Sequence, residues 1–382
     1  MMTRGFGPWS TSLYIGAPAS LNTFWCRRLG RLAEVRNARA IRPGGVSLLA
    51  ALSLFILGAP LAQFELSAND SQPAREPHEQ RIVIWRAGRL ASMRPDGSEF
   101  AWLSDAKRGV AIDVPRLSPD GQRLAYGVRT FTDRPVSSEV PAQVHIRDLD
   151  DAQSLVDLGV SGHEWCWSGD GTKLLVATVE PPRDGQQDFK HVIVDVHTRQ
   201  TSDIKLAAGH LATDWSTDGN WLLTTSVTGE PGSAADSAAQ AQVDLITRDG
   251  TTVRRVSSPG QHAVFGRFSP DGQMVLYTVL NRENDTGSLY VVKLPGGEPR
   301  QITPGLNEEP MGASWSPDGE RIAYVWRMRH RNGQAAHETE SSLAIVDLEG
   351  NHLTTLLTEK ALPREGVSNT QWIIRLHSPD WR

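Results

Sequence analysis

The chain is 382 residues long, 39% hydrophobic and 22% charged, with 34 Gly and 23 Pro, a globular composition that excludes a disordered, collagenous or polytopic membrane protein. Its two cysteines, Cys26 and Cys166, are too few for a disulfide framework and lack the paired spacing of a zinc site. The net charge of -5 divides unevenly, +6 over residues 1–43 and -11 after them, which excludes nucleic acid as a partner of the main body, because phosphate binding needs clustered cations.

Residues 1–43 are a basic leader with seven Arg (Arg4, Arg27, Arg28, Arg31, Arg36, Arg39, Arg42) against Glu34. Residues 44–63 carry no charge, running from Gly44 through Leu- and Ala-rich sequence to Ala59-Pro-Leu-Ala62. Positive region, apolar region and small residues come in the order of an export signal. Pro60 disfavours cleavage after Ala62, and a run of roughly 18–20 apolar residues is long enough to span a bilayer, so a cleaved signal peptide and an uncleaved signal anchor both fit. Either places the Arg cluster in the cytoplasm and the rest in the periplasm or outside the cell, secreted or held at the inner membrane. Residues 64–80, containing Asn69-Asp-Ser-Gln-Pro-Ala-Arg-Glu-Pro77, read as a linker.

From residue 81 onward one turn recurs: Leu117-Ser-Pro-Asp-Gly121, Trp167-Ser-Gly-Asp-Gly171, Trp215-Ser-Thr-Asp-Gly219, Phe268-Ser-Pro-Asp-Gly272 and Trp315-Ser-Pro-Asp-Gly319, with Asp spacings of 50, 48, 53 and 47. Pro presets φ for a type I turn, Asp takes the bridge region, and Gly takes the left-handed position that closes a bulged hairpin. One Asp per repeat at a hairpin has no ligand partners at calcium-loop spacing, so these aspartates are structural.

Apolar segments follow each turn (Leu124–Tyr126, Leu174–Val176, Leu222–Leu223, Val275–Tyr277, Ile322–Tyr324), then Val144–Ile146, His191–Val194, Val243–Ile246, Leu289–Val292 and Leu343–Val346. Four strands in roughly 50 residues make one blade of a β-propeller, whose sheets bury their faces against neighbouring blades. Trp167, Trp215, Phe268 and Trp315 then fill the space between blades. Residues 82–86, 89–93 and 98–103 supply three outer strands, and Gln371–His377 supplies the innermost one. On this reading Ser378-Pro-Asp-Trp381 is a turn in which Trp replaces Gly, since no hairpin needs completing. A blade shared by both termini leaves no open edge. The fold class is all-β, a six-bladed propeller, expected to be monomeric.

These motifs resemble the TolB-like propeller family, whose repeats carry a Trp/Phe-Ser-Pro-Asp-Gly turn and a later strand matched by Leu289-Tyr-Val-Val-Lys-Leu-Pro-Gly296 and Leu343-Ala-Ile-Val-Asp-Leu-Glu-Gly350. The resemblance covers residues 81–382 and implies an envelope-associated binding protein. TolB itself has an α/β domain before its propeller. Here only residues 64–80 separate the export segment from the first strand.

No Gly-x-Ser-x-Gly elbow, phosphate loop or His-Glu-x-x-His motif occurs, and a chain ending with its propeller leaves no room for a hydrolase domain. His163, His210 and His262 lie 5, 6 and 7 residues before the Ser of their turns, where innermost strands begin at the mouth of the channel. Three converging imidazoles there would hold a divalent metal, as in pectate-type lyases with a similar repeat. The other blades offer Asp113, Glu308, Glu309 and Asn369. Long polar loops (Arg129–Ala142, Glu180–Phe189, Thr228–Gln242, Asn281–Gly287, Arg327–Ser341) are expected on the same face, where a rigid scaffold carries its binding residues. Arg327, Arg329, His330 and Arg331 form a basic patch for an acidic ligand or partner, with Glu308 and Glu309 beside it. The sequence thus predicts a non-enzymatic exported propeller that binds a protein or cell-envelope component and needs no cofactor. Its alternative is a metal-dependent carbohydrate lyase or other propeller enzyme using the channel-mouth His cluster.

Overall fold

The alternation of apolar and polar residues after each Ser-Pro/Gly/Thr-Asp-Gly turn is realised as antiparallel sheet. The structure, a computed structural model, describes residues 80–105, 110–130, 140–151, 153–183, 186–228, 240–281, 286–303, 308–332, 336–361 and 376–382. The leader, the export segment, residues 64–79 of the linker and Asn369 lie outside the described residues. No helix among the described residues is long and apolar enough to cross a membrane.

The strands are β1 (Ile82–Arg86), β2 (Arg89–Met93) and β3 (Ala101–Trp102); β4 (Val110–Leu117), β5 (Arg123–Thr130), β6 (Ala142–Asp148) and β7 (Val156–Gly162); β8 (Glu164–Trp167), β9 (Lys173–Arg183), β10 (Gln186–Asp195) and β11 (Thr201–Ile204). They continue as β12 (His210–Trp215), β13 (Trp221–Thr228), β14 (Gln240–Thr247) and β15 (Val253–Arg255); β16 (Ala263–Phe268), β17 (Met274–Asn281), β18 (Thr286–Lys293) and β19 (Arg300–Gln301). The last are β20 (Glu308–Trp315), β21 (Arg321–Asn332), β22 (Ala336–Asp347), β23 (Thr354–Ala361) and β24 (Leu376–Trp381). They form six four-stranded sheets: blade 1 in the order β24-β1-β2-β3, and blades 2 to 6 each from four consecutive strands. The innermost strands β24, β4, β8, β12, β16 and β20 touch in that cyclic order, so the ring is closed.

The recurrent turn behaves as its composition dictates. Gly121, Gly171, Gly219, Gly272 and Gly319 all have φ between 66° and 75°, open to glycine at no steric cost. Each turn Asp accepts from its Ser hydroxyl, at 2.5 Å in Ser118–Asp120 and 2.6 Å in Ser168–Asp170. The Ser hydroxyl oxygen in turn accepts the amide that opens the next strand, as from Arg123 at 2.9 Å. Blade 3 has Gly169 where three other turns have Pro, because a Cβ there would lie 2.2 Å from the Thr217 carbonyl oxygen of blade 4.

Closure by the C-terminal strand holds, but its alignment differs from the sequence reading. The strand is Leu376–Trp381, and Ser378-Pro-Asp-Trp381 lies inside it, with Ile82 opposite Trp381 and Val83 opposite Asp380. Residues 371–375 lie outside the described residues. Trp381 does not replace a turn glycine. It ends an innermost strand, as Trp167, Trp215, Phe268 and Trp315 do, and is fully buried in the cluster formed by blades 1, 2 and 6. All five aromatics are buried between blades.

Two of the expected polar loops are sheet. The described residues of 180–189 belong to β9 and β10, paired out to Arg183 opposite Gln186, and those of 327–341 belong to β21 and β22, paired out to Asn332 opposite Ala336. Both prolong their blades at the end remote from the recurrent turns. Blades 3 and 6 are three apart in a ring of six, so these hairpins stand across the channel from each other. Most of residues 131–141, 229–239 and 282–285 lie outside the described residues.

Candidate functional site

The innermost strands bring one residue each to the axis, the one preceding the buried aromatic or Leu117: Arg116, Cys166, Asp214, Arg267, Ser314 and Asp380. In β4, β12, β16 and β20 the register slips just before this position, and a bulge re-aims the side chain that follows it. Val114 and Phe265 take φ of 48° and 58° in these bulges. A β-branched residue in the left-handed region is strained, so the surrounding ring holds the backbone there.

Arg116, Cys166, Asp214, Arg267 and Asp380 line a cavity of about 240 Å³, together with Arg382 and the turn residues Pro119, Gly169, Thr217, Pro270 and Pro317. It opens at the face carrying the recurrent turns. Its inner end is crossed by ion pairs: the buried Glu164 carboxylate accepts from Arg116 Nη2 at 2.5 Å and from Arg267 Nη2 at 3.3 Å. Arg267 also donates to the Thr213 carbonyl. One carboxylate of blade 3 therefore joins blades 2 and 5 across the axis. The two aspartates fasten neighbouring blades: Asp214 Oδ2 accepts the Phe268 amide at 2.8 Å, and Asp380 accepts the Leu117 amide at 2.5 Å and the Ser314 hydroxyl at 3.1 Å.

Burial pushes the Asp214 carboxyl above the ordinary range, against the pull of Arg267 and the Phe268 amide. Burial alone would lower Arg267, but Glu164, Asp214 and Asp380 outweigh it and raise it. Burial, with Asp214 beside it, drives the Cys166 thiol well above its usual value, which makes it a poor nucleophile. The channel chemistry is mutual neutralisation between blades.

The predicted ligand residues fall elsewhere. His163 is buried and its Nδ1 accepts the Val179 amide at 3.1 Å; His262 Nδ1 accepts the Ala241 amide at 3.0 Å. His210 Nδ1 lies 3.0 Å from the Thr224 hydroxyl and 3.8 Å from Asp244. His163 and His210 bond within their own blades, and His262 ties blade 5 to blade 4. Among the described residues no group of three or more His, Cys, Asp or Glu is placed to hold a metal.

Arg327 is buried and forms a two-pronged ion pair with Glu309, through Nε at 2.9 Å and through Nη2. Expected as a ligand cation, it is an internal one, because β21 carries it opposite Ser341 inside the sheet. Glu308 is half-buried, and burial pushes its carboxyl up. Arg329, His330 and Arg331 lie on the outer part of β21 in register with Thr339, Glu338 and His337. The channel ring was missed by the sequence reading, although its signal was present: a polar or small residue directly before each turn-marking aromatic or Leu.

A closed ring of six four-stranded blades with a charged axis defines a β-propeller. The model of the TolB beta propeller domain matches residues 80–362, and the chain belongs to that family. Among solved structures it resembles TolB from Acinetobacter baumannii, at TM-score 0.53 and 19% identity, over 79% of this chain and 66% of that one. It also resembles a putative TolB from Agrobacterium tumefaciens, at TM-score 0.51 and 13% identity, over 74% of this chain and 90% of that one. At such identities the likeness is one of fold. A 59-residue stretch is 42% identical to the uncharacterized peptidase YuxL of Bacillus subtilis, covering 15% of this chain and 8% of that protein. That stretch is about one blade long.

Proposed function

We propose that this protein is an exported, non-enzymatic propeller that binds a protein or cell-envelope component at the face remote from the recurrent turns. The observation that carries this reading is the pair of prolonged hairpins. β9 runs six residues past Ala177, the partner of the first residue of β8, and β21 runs four past Met328, the partner of the first residue of β20. At about 3.3 Å per residue they rise about 20 Å and 13 Å from opposite sides of the ring. Beyond the blade body, the backbone of the blade 3 hairpin contributes only Val179 and Phe189 to a core cluster, the one around Leu211 of blade 4. The two hairpins provide two rigid walls on a scaffold, the kind of position at which binding residues are displayed. The channel supports a structural role, since its acids and arginines are spent on one another. Export rests on the basic leader and the uncharged run of residues 44–63.

The test is photo-cross-linking in cells from Gln186 and from Ala336, each at the end of a hairpin. The expected result is a discrete cross-linked species in the envelope fraction, lost when residues 180–187 and 329–338 are each replaced by a two-residue turn. A folded, exported chain that yields no such species would refute binding at this face. Purification with stoichiometric metal, lost when His163, His210 and His262 are replaced by Ala, would instead favour the lyase reading.

A further inference from the structure

We propose that Arg89 and Trp102, on blade 1 next to the ion pair that joins it to blade 6, form the docking point for a carboxylate of a partner's peptide segment. This deepens the binding reading above and rests on it, because the point lies on the same face. The β1–β2 hairpin turns within Ala87 and Gly88, so blade 1 ends lower than the prolonged blade 6 beside it.

On this step two large aromatic side chains are exposed, Phe100 at 37% and Trp102 at 40%, in edge contact at 5.1 Å. Two guanidinium groups meet them. Arg86 lies 4.8 Å from the Phe100 ring centre and 5.5 Å from that of Trp102, and its charge is spent on Glu359 of β23. Arg89 lies 3.5 Å from the Trp102 ring centre, and no described residue gives it a hydrogen bond or ion pair. Stacking fixes a guanidinium while leaving its in-plane N–H donors available, the fork that matches a carboxylate.

The choice of ligand follows from the surroundings. A sugar would need an open ring face, and Arg89 already covers one face of Trp102 at stacking distance. A polyanion would need several unspent cations, whereas Arg86 is paired with Glu359, Lys360 with Glu340, and the chain after residue 43 carries -11. One fork beside exposed aromatic surface fits a single Asp or Glu next to an apolar side chain.

The experiment is calorimetric titration of the full chain with a short peptide carrying one Glu beside one Phe, and with the same peptide carrying Gln instead of Glu. The Glu peptide should bind at least about 10-fold more tightly, with the difference shrinking as salt rises. Arg89→Gln should abolish that difference, Arg89→Lys should restore only part of it, and Trp102→Ala should weaken binding. Arg94→Gln, at an arginine 39% exposed and paired with Glu99, should change nothing, and thermal melts would confirm that each variant is folded. Equal binding of the two peptides, or an unaltered Arg89→Gln variant, overturns the proposal. So does Arg89-dependent binding of anionic vesicles or polygalacturonate without binding of the Glu peptide. If the peptide fails while hairpin cross-links persist, only this inference falls; if the cross-links fail while the peptide binds, the hairpin reading falls.

Discussion

Replacement of Trp381 by Ala tests how the ring closes. The side chain is fully buried among residues of blades 1, 2 and 6. A buried Trp removes up to about 250 Å² from water, about 6 kcal/mol at 25 cal/mol per Å², and residual burial in the unfolded chain lowers this to about 4 kcal/mol. The Trp381 indole N–H has no hydrogen-bond partner among the described residues, so its removal returns about 1 kcal/mol, for a net cost of about 3 kcal/mol. Urea unfolding, with the shift in midpoint taken at a common m value, measures it. Trp315→Ala serves as the internal standard, because Trp315 holds the same place in an uninterrupted blade and is equally buried; its indole N–H donates to the Arg267 carbonyl at 3.2 Å, so nothing is returned and its removal should cost about 4 kcal/mol or more. Trp381→Phe should cost only about 1 kcal/mol, since Phe268 fills that place in blade 5 and carries no N–H to satisfy. If Trp381→Ala costs under about 1 kcal/mol while Trp315→Ala costs about 4 kcal/mol or more, Trp381 is a surface turn residue and the ring is not closed in this way.

Arg327→Met should lower stability by about 3 kcal/mol, because it leaves the Glu309 carboxylate without its two-pronged partner; calorimetric melting measures this, and an unaltered melting temperature would return Arg327 to the ligand site. Gly169→Ala should cost about 2 kcal/mol, since its Cβ would meet backbone atoms of Thr217 at 2.2 Å, readable as a lower urea midpoint. Burial, with His210 nearby, holds the His191 pKa at about 4 against 6.5 unfolded. Between those values the unfolded chain binds a proton that the folded chain does not, so stability falls as pH drops from 6.5 to 4, by about 3 kcal/mol in all. His191→Gln, which keeps an acceptor for the Ala212 amide that His191 Nε2 now accepts at 3.1 Å, should flatten that slope in urea titrations at stepped pH.

The fold was legible because its punctuation is local chemistry. Ser, Asp and Gly at fixed offsets are needed to close the hairpin after each innermost strand, and Gly171 at φ 66° does what its position in the motif requires. The hairpins of blades 3 and 6 were not legible as strands. Arg327-Met-Arg-His-Arg331 and Glu180-Pro-Pro-Arg183 are polar or proline-bearing, and strand propensity is judged by fit to a half-buried surface. Beyond the blade body a hairpin has little core to face. Its pairing is carried by backbone hydrogen bonds and by length, which composition does not reveal.

The channel ring was hidden by a single misalignment. With Ser378-Pro-Asp-Trp381 laid on the turn, Asp380 stands with Asp120, Asp170, Asp218, Asp271 and Asp318, all of which accept from their own turn Ser. With Trp381 laid on Trp167, Trp215 and Trp315, Asp380 stands instead with Arg116, Cys166, Asp214, Arg267 and Ser314. The second alignment has a physical warrant in the sequence itself: a large aromatic is strained and exposed at the left-handed turn position but gains several kcal/mol between blades. Once Asp380 is moved, the charged residues among the six on the axis are two arginines and two aspartates from different blades, with Glu164 close behind. Charges of opposite sign gathered on the axis of a closed ring neutralise one another across its blades, which is why the binding proposed above is assigned to the rim hairpins and to the Arg89 guanidinium rather than to the channel.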